Sequence, residues 1–170
     1  MVVDANYPTS KVRLFSVYAP SHPEERFFFQ NTLAPLLSTE HSNIIAGDFN
    51  CIDSTHLDTF NQPDTTLSLV GSTELRDLTS SYGLVDTYRH LRPDGRDYTW
   101  YGHCATQASR IDRIYAAPHT VTGIQTEFFP YSDHKALHCT ITLTISCTAQ
   151  GKSYWKMNTS ILEDCDYKPR

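Results

Sequence analysis

Asn43-Ile44-Ile45-Ala46-Gly47-Asp48-Phe49-Asn50 is the stretch that decides how this chain is read. A short apolar run that ends on Gly-Asp-x-Asn is a buried strand delivering a carboxylate and an amide to one end of a sheet. Asp48 and Asn50 are two residues apart, so in extended backbone they point the same way. Two further segments repeat the arrangement: Ser109-Arg110-Ile111-Asp112-Arg113-Ile114-Tyr115, and Ser132-Asp133-His134 ahead of Lys135-Ala136-Leu137-His138. Each brings a carboxylate or an imidazole to, or near, a strand end.

Outward from Asn43, the chain alternates helix and strand signals. Val12 to Tyr18 alternates as a strand, and Ala19-Pro20-Ser21-His22-Pro23 breaks it. The spacing of Phe28, Leu33, Leu36 and Leu37 predicts a helix over 24–37, kinked or ended early by Pro35. Residues 47–64 read as a loop over a site. A helix is predicted over 72–82, with a capped start at Ser72-Thr73-Glu74-Leu75 and a stop at Gly83. Residues 84–88 read as extended, 93–95 as a turn, and strands follow over 98–102, 110–116, 121–129 and 138–145. This order predicts an α+β architecture of sheets packed face to face with helices outside. Residues 1–148 form the domain, and 149–170 read as a linker toward a further segment.

Composition narrows the function classes. The 170 residues are 39% hydrophobic and 19% charged, with a net charge of −5. That balance carries no broad electrostatic footprint for nucleic acid. Any such contact is local, from Arg89, Arg92 and Arg96, or from Arg110, Arg113 and Lys135. Five cysteines without a C-x-x-C spacing argue against a disulfide framework and a zinc ribbon. No apolar stretch approaches membrane-spanning length, and Met1 to Asn6 does not read as a secretion signal, so the expected setting is inside the cell, nuclear or cytoplasmic.

The polar segments point to phosphodiester hydrolysis. That chemistry needs an oriented water, positive charge on the non-bridging oxygens and help for the departing oxygen. Asp48 suits the water, and Asn50 can donate to a phosphate without adding like charge. His134, protonated, is an electrophile, and a carboxylate such as Asp112 behind it would fix its tautomer. Asp133 and His134 are adjacent and point to opposite faces of a strand, so they do not form a simple chelating pair. Tyr18 ends its strand where its hydroxyl could reach a phosphate. Each residue also has a plainer reading: a turn for Asp48 and Asn50, a salt bridge for Asp112, a core ring for Tyr18.

Val17-Tyr18-Ala19-Pro20, Gly47-Asp48-Phe49-Asn50, Tyr98-Thr99-Trp100, Ser109-Arg110-Ile111-Asp112 and Ser132-Asp133-His134, in this order, resemble the endonuclease/exonuclease/phosphatase family. The nearest flavour is the endonuclease domain of non-LTR (LINE-type) retrotransposon polyproteins. The resemblance covers about residues 10 to 165, and Tyr154-Trp155-Lys156-Met157-Asn158 is similar to the linker that leads there to a reverse transcriptase. It implies a four-layered α/β-sandwich of the deoxyribonuclease-like type and Mg²⁺-dependent cleavage of DNA, with Mn²⁺ as a substitute. Asp48 would position the water, Asn50 the phosphate, and Asp112 would orient His134 on the scissile phosphate. Tyr18, Thr99 and Arg110 would lie along the substrate backbone, and Asp48 and Asp133 on the metal side. The family's early Asn motif and metal-binding Glu have no counterpart before Tyr18. The resemblance therefore implies a partial domain lacking its N-terminal strands, with an exposed sheet edge, weakened metal binding and little or no activity. Two other readings stay open: a non-catalytic nucleic-acid or protein binding remnant of the same fold, and a relative acting on another phosphoester.

Overall fold

The strand read from Asn43 to Ala46 forms as Ser42–Asp48 (β3) and lies at the centre of a five-stranded sheet in the computed structural model of the protein. The structure describes residues 1–7, 10–22, 25, 27–62 and 69–143. The expected linker at 149–170, and residues 144–145 read into the last strand, lie outside these. The sheet order is Val2–Asn6 (β1), Lys11–Tyr18 (β2), β3, Asp112–Ala116 (β8) and Val85–Asp86 (β5). Only the β2–β3 pairing is parallel; β1–β2, β3–β8 and β8–β5 are antiparallel.

β1 was not expected from sequence. It is almost wholly exposed, so no inward alternation marks it. It covers the edge of β2, pairing Val2 with Phe15 through to Asn6 with Lys11. The open edge expected at β2 is therefore moved out to β1, where Arg13 is held by Asp4 at 2.6 and 2.7 Å. Charges on an edge discourage pairing with another chain.

The remaining strands build a second layer. Thr59–Phe60 (β4), Ala108–Ser109 (β7) and Trp100–Tyr101 (β6) form one ribbon, and Val121–Phe128 (β9) pairs with Lys135–Ile141 (β10). Main-chain bonds stitch the two together: the Lys135 amide donates to Thr99 O (2.7 Å), the Tyr101 amide to Asp133 O (2.9 Å), and Trp100 bridges His134. A cleft lined by Ala46, Gly47, Asp112, Ile114, Lys135 and Leu137 separates this layer from the five-stranded sheet.

Helices cover the sheet's other face. Ser72–Ser81 (α1) forms as the periodicity of Leu75 and Leu78 predicts, and Gly83, at φ 63°, stops it. Its start differs from the sequence reading: Gly71 is the cap, and the Ser72 hydroxyl turns to Asp53 instead of closing on the helix. The helix expected over 24–37 is a π-helical turn, Phe29–Leu33, followed by a 3₁₀ turn, Ala34–Leu36. Pro35 lacks an amide hydrogen and crowds the turn before it, which breaks the α pattern. The segment read as extended over 84–88 divides into β5 and a short helix, Thr87–Leu91 (α2), because the Asp86 carboxylate caps it through the Tyr88 (3.1 Å) and Arg89 (3.3 Å) amides.

The core lies between the sheet and these helices. Phe15, Val17, Ile45 and Tyr115 meet Phe29, Leu33, Leu75, Leu78 and Phe49, with Phe49 edge-on to Tyr115 at 5.2 Å. Each such side chain contributes roughly 1.5–3 kcal/mol. This packing fixes the strand ends from which the polar residues emerge.

Candidate active site

Register brings the first two acids together. Asp48 ends β3 and Asp112 opens β8, and the two are direct antiparallel partners; Tyr18, the last residue of β2, is the parallel partner of Asp48. Gly47 makes the β2–β3 approach possible. Its φ is 147°, and a Cβ there would sit 1.9 Å from the Val17 carbonyl oxygen. Asn50 takes a left-handed conformation (φ 48°), which Asn tolerates better than most residues. Its amide donates to Asp48 Oδ1 at 2.8 Å and its side chain to Ala19 O at 2.5 Å, which locks the Asp48 rotamer to the end of β2.

His134 reaches the pair from the second layer. Its Nδ1 lies 2.8 Å from Asp112 Oδ2, and its own amide donates to the Ser132 hydroxyl at 3.0 Å. Ligand atoms of Asp48, Asp112 and His134 all fall within 4.8 Å of one another, and all three residues are half-buried. Burial pushes the Asp48 carboxyl above its ordinary range, and the nearby Asp112 charge adds to that, against the Asn50 amide, which favours the anion.

Thr99 holds the acid and the imidazole in one frame. The structure makes it fully buried, not a surface residue beside a substrate backbone. Its hydroxyl oxygen accepts from the Ile111 (3.1 Å) and Asp112 (3.0 Å) amides, while its carbonyl accepts from Lys135. One residue thus clamps the start of β8 and the start of β10.

Arg110 is also turned inward. It is a buried side chain bonded to Asp58 Oδ1 (2.8 Å) and Asp86 Oδ2 (2.6 Å). Asp58 is the residue that sequence reading missed. Fully buried, it accepts from Arg89 (2.7 Å) and from the Asp53 and Ser54 amides, and lies 4.0 Å from Arg113. Burial alone would raise its pKa, but Arg110 and Arg113 outweigh that and hold it below the usual carboxylate range. Arg113 in turn donates to Cys51 O at 2.8 Å, tying the loop after Asn50 to β8. Asp133 is exposed and stands outside the three-residue cluster, accepting from the Trp100 indole at 3.0 Å. Tyr18 is 78% exposed beside Asp48.

The donor set fits a hard divalent cation. Two carboxylates with a converging imidazole offer the oxygen ligands that Mg²⁺ and Mn²⁺ prefer, with room for exchangeable ligands. Asp48 and Asp112 are the residues that would hold it.

The fold is the deoxyribonuclease-like α+β type. The chain superposes on the 3'-5' exonuclease NExo of Neisseria meningitidis with a TM-score of 0.66, at 16% identity over 84% of this chain and 65% of that one. The same enzyme bound to a product DNA hairpin, described as a 3' phosphatase, gives 0.62 at the same identity and coverage. An AP endonuclease from Archaeoglobus fulgidus gives 0.65 at 17% identity, again over 84% and 65%. No family model matches the chain. Its sequence is 32% identical to the Transposon TX1 uncharacterized 149 kDa protein of Xenopus laevis over 89% of its length, and spans 12% of that protein. The chain therefore has the deoxyribonuclease-like fold of these exonuclease and endonuclease structures, and its sequence is similar to a segment of a transposon protein.

Proposed function

We propose that this domain is a divalent-cation-dependent phosphodiesterase that nicks DNA, with Mg²⁺ as the working ion and Mn²⁺ as a substitute. The observation that carries the reading is the convergence of Asp48, Asp112 and His134 at one strand-end site beside exposed Tyr18. The DNA-bound Neisseria neighbour supports the choice of DNA. The cation would offset negative charge on the phosphate. Asp48, locked by Asn50, orients the attacking water. His134 donates from its remaining ring nitrogen to a non-bridging oxygen, and Asp112 holds the ring at the correct tautomer. Tyr18 positions the strand, and Thr99 keeps the acid and the imidazole in register.

Among the described residues no glutamate joins the cluster, so turnover by the 170-residue chain is slow. The relationship to a 149 kDa transposon protein supports a role beside a reverse transcriptase segment of a longer retrotransposon polyprotein, inside the cell where DNA is reached. Among the described residues no helix is long and apolar enough to cross a membrane.

The test is nicking of supercoiled plasmid with Mg²⁺ and with Mn²⁺. Asp48→Ala and His134→Ala should each lower the rate by at least ~10²-fold. A folded chain that never nicks, or that nicks equally well as both variants, overturns the reading and leaves a binding domain of the same fold.

A further inference from the structure

The turn between β9 and β10 leads directly into Asp133 and His134, and it carries three uncovered rings. Phe128 is 68% exposed, Phe129 55% and Tyr131 94%. The turn is fastened at its base: Phe128 pairs with Lys135, the Ser132 amide donates to Phe129 O (3.2 Å), and the Ser132 hydroxyl accepts from His134. Two residues, Ser132 and Asp133, separate Tyr131 from His134, so their Cα atoms are within about 11 Å at full extension.

The site's charges explain what rings in this place can do. The chain carries a net charge of −5. The basic side chains nearest the cluster are already committed: Arg110 and Arg113 to Asp58 and Asp86, Arg89 to Asp58, and Lys135 to Asp97. Binding by phosphate neutralisation is therefore weak on this face. Aromatic rings supply affinity by another route, stacking on bases, which needs no cation. Bases inside a duplex have their faces covered by their neighbours, so a ring can reach them only by unstacking a step, whereas unpaired bases offer their faces without that cost.

We infer that the 128–131 turn is a stacking platform for unpaired bases next to the scissile phosphate, which makes single-stranded or locally unpaired DNA the preferred substrate. The inference rests on the nuclease reading for its position, and its binding arm is independent of cleavage. The turn supplies base contacts, the Asp48–Asp112–His134 cluster supplies the chemistry, and Tyr18 bounds the site on the opposite side.

The experiment uses the full chain with a single-stranded oligonucleotide and its duplex, each carrying 2-aminopurine, a base whose fluorescence is quenched by stacking. The expected result is quenching by single strands, affinity at least tenfold weaker for the duplex, and a shallow salt dependence between about 50 and 200 mM. The combined Phe128→Ala, Phe129→Ala, Tyr131→Ala variant should lose at least tenfold in single-strand affinity while keeping its urea midpoint. Equal binding by that variant overturns the inference, as does dimerisation of the wild type that the variant abolishes. Plasmid nicking by the same samples separates the two ideas. Quenching without nicking keeps the platform and removes the nuclease reading, whereas nicking with unaltered single-strand affinity in the variant does the reverse.

Discussion

Two carboxylate pairs lie close together in this chain, Asp58 with Arg110 and Asp112 with His134, and they are built in opposite ways. Asp58–Arg110 is buried, and every oxygen of Asp58 is committed: to Arg89 and Arg110 on one side, and to two main-chain amides on the other. Asp112–His134 is half-buried, with one hydrogen bond between side chains and a second carboxylate, Asp48, close by. The first pair has no valence left for a ligand. The second has valence to spare and is open to solvent. Saturation, not the presence of opposite charges, separates a structural pair from a reactive one.

Breaking the buried pair should have the largest effect on stability. Asp58→Ala takes the paired carboxylate from Arg89 and leaves the buried Arg110 and Arg113 to share Asp86, and should cost about 3–5 kcal/mol in urea unfolding. A loss below about 1 kcal/mol would mean that solvent reaches the arginines and that the contrast is overdrawn.

Thr99 connects the two regimes, because it is buried yet serves the open pair. Thr99→Val keeps the shape and orphans two amides, for an expected cost of about 2 kcal/mol. Nicking should fall with it, and Thr99→Ser should restore both. If Ser fails to rescue while Val folds normally, the hydroxyl is not the clamp.

Acid should dismantle the buried pair gradually. The folded Asp58 carboxyl titrates below its unfolded value of about 3.9, so its contribution is complete above that pH and lost as pH falls through the lower folded value. Denaturant midpoints should therefore drop below about pH 4, and a flat profile down to about pH 2 would contradict the assignment.

The smallest effect on stability sharpens the contrast from the other side. His134→Ala, which removes the reactive partner, should leave the unfolding free energy within about 0.5 kcal/mol of wild type while activity is lost. A large stability loss there would make Asp112–His134 a structural pair after all.

The open pair was legible in the sequence and the closed one was not, for a physical reason. Asp48 and Asp112 adjoin apolar strand residues, and His134 adjoins the start of β10, so periodicity marks where those side chains emerge. Asp58 sits in a polar loop that resembles any other, and its partners come from α2 and from beside β8, which only tertiary packing brings near. Arg110 looked like a phosphate ligand because its inward direction depends on Asp58. Likewise α2 was hidden inside a β-forming run until the Asp86 cap was seen, and β1 has no buried face to betray it. The α+β class followed from the order of strands and helices and the deoxyribonuclease-like type from the family resemblance, while the clamping role of Thr99 and the whole of Asp58 came from the structure.

The bridge between Trp100 and His134 has a consequence for how the three-residue cluster is assembled. Asp48, Asp112 and His134 come from distant parts of the chain, and both the β3–β8 pairing and the Trp100–His134 bridge are needed for the three to meet. Non-local pairing of this kind is slow compared with helix formation. The cluster is therefore complete only once both long-range pairings have formed.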